Sequence, residues 1–460
     1  MTLIVFNSCE EDQEDAGMMV QEMVEIRSGN ANFDKFVSIG ASITAGYTDG
    51  ALFFEGQRSS YPNIMAGVMS LSEDNTVTSN YTQPYMNDNI GGLLLGGNQI
   101  TGPRLFFNGA GPQSLGDLGA LPTTELLNST PGPYSNMAVP GAQAIHMIAP
   151  GYGNLAGVAT GTANPYAVRV MSSPGSSIIQ DVLAQSPTFV SVWSGGNDAL
   201  GYATSGGTGT LTSSADFEFA FGSTMAALAQ VPGGVVSNIP DVTAIAYLNT
   251  IPYNAVPLDA ATAGAVNAQF ALYNGALGQL VAGGFISPEE AAIRAINFVE
   301  GVNYPIMTDV DLTDVTAILI GAGLDSETAA LLGQLRQVKS DDLVVLTASS
   351  ALGSVPDPSN PLGIVGVSIP LTNQYVLTTT EQARVATAGA SYNAIIEGLA
   401  AANELGYGDM KSALAEVAAN GAFYNGGVLT STYVTGGAFS LDGVHPSPRG
   451  YAFTANTIID

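Results

Sequence analysis

The sequence predicts an α/β fold: a doubly wound parallel sheet that carries a large, mainly helical insertion. Three observations carry this. Short runs of strand-forming residues, such as Phe36–Ile39 and Thr188–Trp193, end abruptly at glycine, the mark of buried strands. Segments with helical periodicity separate those runs. Strand and helix then alternate along the chain, an order that favours parallel pairing.

The elements follow in order. Residues 1–34 read as a leader remnant and acidic tether, and 35–460 as one domain. After the strand at Phe36–Ile39 and its glycine stop comes Ser42, then a helix that starts at Tyr61-Pro62 and runs to about Ser70. Residues 71–134 hold many Gly, Pro, Asn and Thr and predict a long irregular excursion. Ser135–Val139 is a short strand closed by Pro140-Gly141, and 142–149 begins a helix. Ser176–Gln185 predicts a helix, and the Thr188–Trp193 strand ends at Gly195-Gly196-Asn197-Asp198. A helix at Phe217–Gln230 and a buried strand at Val242–Leu248 follow. Residues 255–375 break the rhythm, with helices expected at 264–282, 288–294 and 326–338 and short strands near 296–306 and 343–348. This block is expected over the carboxyl edge of the sheet, where it either shapes a pocket or buttresses the core. Helices at Glu381–Leu405 and 450–459 complete the domain.

Composition narrows the function. With 46% hydrophobic residues the chain can bury a sizeable core. Its 39 Asp and Glu against 11 Lys and Arg give a net charge of −28, which repels nucleic-acid phosphates and anionic lipid surfaces. One cysteine excludes an internal disulfide and a Cys-rich metal site, and two distant histidines supply no zinc ligand set. No metal or organic cofactor is implied. The lone Cys9 follows the apolar run Thr2–Phe6 and precedes the acidic run Glu10–Asp15. This resembles the end of a bacterial lipoprotein signal peptide. The resemblance implies an exported outer-membrane or cell-surface lipoprotein lipidated at Cys9, touching the membrane only through that anchor.

Of the two histidines, His445 has a carboxylate three residues earlier, Asp442, across Gly443 and Val444. On a tight loop that spacing lets the carboxylate reach the far ring nitrogen and fix the tautomer. Imidazole is the side chain best suited to take a proton from a serine near neutral pH. Ser42 is the matching nucleophile candidate, at a strand's carboxyl end between small neighbours. His146 sits on an apolar stretch (Ile145, Met147, Ile148) with no acid within ten residues, and reads as a packed histidine. Gly141 and Asn197 each follow a strand candidate. A bare glycine N–H and an asparagine amide are the donors that an oxyanion needs.

This ordered set resembles the SGNH hydrolases, the GDSL esterase/lipase superfamily. The blocks are Gly40-Ala41-Ser42, Asn136–Gly141, Gly195–Asp198 and Asp442-Gly443-Val444-His445-Pro446, with Ala41 where the family carries Asp. The resemblance implies a flavodoxin-like α/β/α sandwich, with Ser42 as nucleophile, His445 as base and Asp442 orienting it. It also implies an oxyanion hole of the Ser42 N–H, the Gly141 N–H and the Asn197 side chain. Together with the Cys9 tether and the insertion, it points to large surface lipoproteins of Bacteroidetes. The expected activity is hydrolysis of carboxylic esters, and the lack of a long apolar lid helix favours short-chain acyl or O-acetyl groups. The rival from another class is a surface lipoprotein that binds a glycan or lipid in the same cleft without turnover.

Overall fold

The computed structural model describes residues 28–72, 81–129, 131–424 and 426–460. Cys9 and the acidic run after it lie outside the described residues. Four parallel strands form the central sheet in the order β1 (Phe36–Gly40), β2 (Phe189–Trp193), β3 (Gly233–Ser237) and β4 (Gly406–Gly408). On the free side of β1, residues 135–139 run alongside it. Ser38 donates to the Ser135 carbonyl, and Met137 and Val139 donate to Ser38 and Gly40. The spatial order is thus 135–139, β1, β2, β3, β4.

Side chains alternate across these strands, so each strand feeds two faces. Val37, Ile39, Val190 and Val192 join one core. Phe36, Trp193 and Val235 join a second, smaller one. Helices cover both faces: α1 (Ser42–Ala45), α2 (Tyr61–Met69), α3 (Ile178–Leu183), α4 (Asn197–Thr204), α5 (Ser214–Leu228), α6 (Thr379–Ala402), α7 (Met410–Ala419) and α8 (Pro448–Ile459). α2 and α8 pack together on the smaller core, while α5 and α6 pack together on the larger. α6 starts at a capping box, in which Thr378 Oγ accepts from the Glu381 N–H and Glu381 accepts from the Thr378 N–H at 2.8 Å.

The excursion over 81–129 is irregular apart from two short hairpins, Leu93–Thr101 and Leu105–Ser114, and 3₁₀ turns at Leu115–Leu118 and Leu126–Asn128. The expected helix over 142–149 is a single 3₁₀ turn, Ala144–Met147. Val242–Leu248 is not a strand. Asp241 Oδ1 accepts from the Thr243 N–H at 2.9 Å, which turns the chain, and Ala246–Asn249 is one helical turn. The strand lies earlier, at Gly233–Ser237, where glycine lets the chain close in: a Cβ on Gly234 would meet the Val190 carbonyl at 2.7 Å.

Residues 255–375 build their own core around Phe270, Leu277, Phe298 and Leu335. Helices occupy Ala260–Ala282, Pro288–Arg294, Thr316–Gly321 and Ser326–Leu332. The helix expected over 326–338 stops at Leu332, and Leu335–Gln337 instead pairs with Ile306–Thr308 as a hairpin-like ladder. Val344, Val345 and Ala348 reach into the main core and tie the insertion to the sheet.

Candidate active site

Ser42 opens α1 directly after β1, with its N–H the first in the helix. Such donors have no partner inside a helix. The residue is 9% exposed. Asn197 opens α4 after a three-residue turn from β2. His445 and Asp442 lie on the turn before α8, which Ser447 caps by accepting from the Gly450 N–H. Pro448, at the first turn of α8, needs no N–H partner there.

Asp442 is tied on both oxygens. Oδ1 accepts from the Val444 and His445 N–H groups at 2.9 Å each. Oδ2 accepts from the Gly50 N–H at 2.8 Å and faces His445 Nδ1 at 2.9 Å. Burial alone would raise its pKa, but the charge and hydrogen bonds of His445, with the Val444 N–H, pull it down to about 2. An ionised carboxylate only accepts, so Nδ1 carries a proton, and in the neutral ring Nε2 is the nitrogen with the lone pair. Gly443 adopts φ +72°, which glycine tolerates, and its carbonyl accepts from the Tyr247 N–H at 2.8 Å.

The turn after α1 clamps this loop. Asp49 Oδ1 accepts from the Leu441 N–H, the Asp49 N–H donates to Ser440 Oγ, and the Thr48 hydroxyl donates to the Pro446 carbonyl. The Tyr47 ring lies 4.7 Å from the His445 ring, and its hydroxyl donates to the Gly50 carbonyl at 2.6 Å. Burial pushes the Tyr47 phenol well above its usual range. These positioning residues were not foreseen, although Asp49-Gly50 is a recognisable turn dipeptide.

Asn197 Nδ2 donates to the Ala142 carbonyl at 2.9 Å, joining the strand-end turns after 135–139 and β2. Gly141 sits in that turn at φ +81°, and its N–H has no acceptor among the described residues. His146 is elsewhere engaged. Its Nδ1 accepts from the Gln143 N–H at 2.9 Å, and its ring stacks on Tyr152 with centroids 4.2 Å apart. Burial lowers its pKa, which suits a neutral packed histidine.

Ser42, Asn197 and His445 line one cavity of about 1040 Å³, counting its open mouth. Gly141 and the 255–375 segment contribute nothing to its lining. The insertion instead supports the acid loop from behind. The Tyr247 hydroxyl and Thr347 Oγ lie 3.1 Å apart, and a Cβ on Gly443 would sit 3.4 Å from the Leu346 side chain. No family model, curated protein or solved structure matches the chain. A hydroxyl, an imidazole oriented by an ionised carboxylate, and an amide donor around one cavity are the groups required for acyl transfer.

Proposed function

We propose that the protein is a serine hydrolase of carboxylic esters with the SGNH arrangement. The observation that carries this is the Asp442–His445 pair, whose histidine lines the same cavity as Ser42. The strand order 135–139, β1, β2, β3, β4, with helices on both faces, is that of flavodoxin-like α/β/α sandwiches and supports the same reading. So do the carboxyl ends of β1 and β2, which carry Ser42 and Asn197.

In the acylation step Ser42 Oγ attacks the ester carbonyl carbon while His445 Nε2 takes its proton. The oxyanion that forms is met by the Ser42 N–H and the Asn197 amide, the two expected donors whose residues line the cavity. Collapse breaks the bond to the alcohol oxygen, which leaves with the proton from His445. A water then gives a proton to His445 and attacks the acyl carbon, and the proton returns to Ser42 as the acid departs. Asp442 stays ionised throughout and stabilises the imidazolium.

Ser42→Ala and His445→Ala are each expected to lower kcat on p-nitrophenyl esters by about a thousandfold or more. Wild-type turnover by purified, folded Ser42→Ala would end this reading. Absence of any Ser42-dependent hydrolysis in the folded wild type would leave ligand binding in the same cleft.

A further inference from the structure

The cavity at Ser42 has a length and a chemistry of its own. Its lining includes Ala41 and Ser42 past β1, Trp193 at the end of β2, Pro240 past β3 and Met410 past β4, so it spans the carboxyl ends of all four strands. Neighbouring strands lie about 4.8 Å apart, so this path crosses three gaps, roughly 14 Å. One wall is a single stripe of α7: Met410, Ala413, Leu414 and Val417, the spacing of one helical face. Phe453 of α8 and Phe439 also line the cavity.

The lining is almost wholly apolar. Apart from Ser42, Asn197 and His445, only the Thr454 hydroxyl and the Trp193 indole offer polar side-chain atoms, and no Asp, Glu, Lys or Arg lines it. That is notable in a chain with 39 Asp and Glu. Sugar hydroxyls placed there would lose their water without finding partners, at a high cost. An acetyl group would fill only the end beside Ser42. The sequence-based expectation of a short acyl or O-acetyl group rested on the missing lid helix. A trench needs no lid, because its walls are α7, α8 and the strand-end turns.

Resting on the esterase reading above, we infer that the trench is an acyl-chain subsite and that the substrates are esters of unbranched fatty acids. An extended chain advances about 1.2 Å per bond, one third of the rise of a residue with three backbone bonds. Roughly 14 Å therefore holds a chain of about ten to twelve carbons. Each methylene moved from water into such a site strengthens binding by up to about fourfold.

The test is kcat/KM on p-nitrophenyl acetate, butyrate, octanoate and decanoate, where the alcohol is constant. A rise of at least about a hundredfold from acetate to decanoate is expected. Ala413→Trp, which fills the middle of the trench, should lower the decanoate-to-acetate ratio at least about tenfold. A flat profile with Ser42-dependent acetate hydrolysis intact would overturn the subsite and leave the esterase standing. A flat profile in which octyl acetate outpaces ethyl acetate would overturn the acyl assignment in favour of the alcohol.

Calorimetric titration of Ser42→Ala with decanoate and with butyrate reads the trench without catalysis and without depending on Ala413→Trp folding. Binding of decanoate but not of butyrate supports the subsite even if no ester is turned over, in which case only the esterase reading fails. Equal or absent binding of the two overturns the subsite.

Discussion

Two buried clusters of charge, one in the insertion and one at the edge of the sheet, are built to opposite ends. In the insertion, Arg336 donates from Nε to Asp309 at 2.5 Å and from Nη1 to Asp342 at 2.6 Å, and Nη2 reaches the other Asp342 oxygen. Asp342 also accepts from the Lys339 and Thr379 N–H groups. Every nitrogen of the guanidinium is satisfied, and the cluster pins the insertion to the start of α6. At the sheet edge Asp442 is equally saturated, but the chain of partners runs out. Beyond Asp442, neither His445 Nε2 nor Ser42 Oγ has a hydrogen-bond partner among the described residues, and both residues line a cavity. Buried polar groups are normally paired. Where pairing is complete the cluster fixes structure, and where it stops at a cavity the open valence is available for chemistry.

The comparison breaks if both clusters respond to mutation in the same way. Asp442→Asn preserves shape but supplies an amide where Nδ1–H needs an ionised acceptor. It should lower kcat about ten-thousandfold on an ester substrate, with the folded far-ultraviolet dichroism intact. That is about 5 kcal/mol of transition-state stabilisation. Arg336→Met should do the reverse. It leaves Asp309 and Asp342 buried without their counter-charge and should lower unfolding free energy by about 3–5 kcal/mol in urea titration. Turnover by its folded fraction should match wild type. A loss of kcat in Arg336→Met without a loss of stability would erase the distinction between the clusters.

The sheet edge was largely legible in the sequence, and the reasons are local. Phe36–Gly40 and Phe189–Trp193 are continuous runs of strand formers stopped by glycine, and their short-range signal matches their buried setting. Asp442 and His445 are three residues apart, so their pairing needs only a tight turn. The trench was not legible. Its far wall, α7, and the strand before it, Gly406–Gly408, are short and flanked by polar residues, and went unread. Gly233–Ser237 was hidden because its two glycines carry no strand propensity, whereas they allow close approach to β2. Val242 and Ile245 were read as a strand because they are apolar, yet they are apolar because they line the cavity. The clamp from Tyr47–Gly50 joins residues nearly four hundred positions apart, a separation at which sequence patterns carry no signal.

Asn197 sharpens the comparison most finely, because one amide serves both purposes. One of its two N–H groups is committed to the Ala142 carbonyl at 2.9 Å and so holds two strand-end turns together. An amide nitrogen carries a second N–H, and the residue lines the cavity with Ser42. If that second donor meets the developing oxyanion, Asn197→Ala should lower kcat roughly a hundredfold, about 2.7 kcal/mol, with KM little changed. If the residue only braces the Ala142 turn, the same substitution should lower the melting temperature and leave kcat of the folded protein near wild type. A rise confined to KM would make it a substrate-positioning residue. Steady-state kinetics and a thermal melt on one purified variant therefore separate the structural half of this side chain from the chemical half.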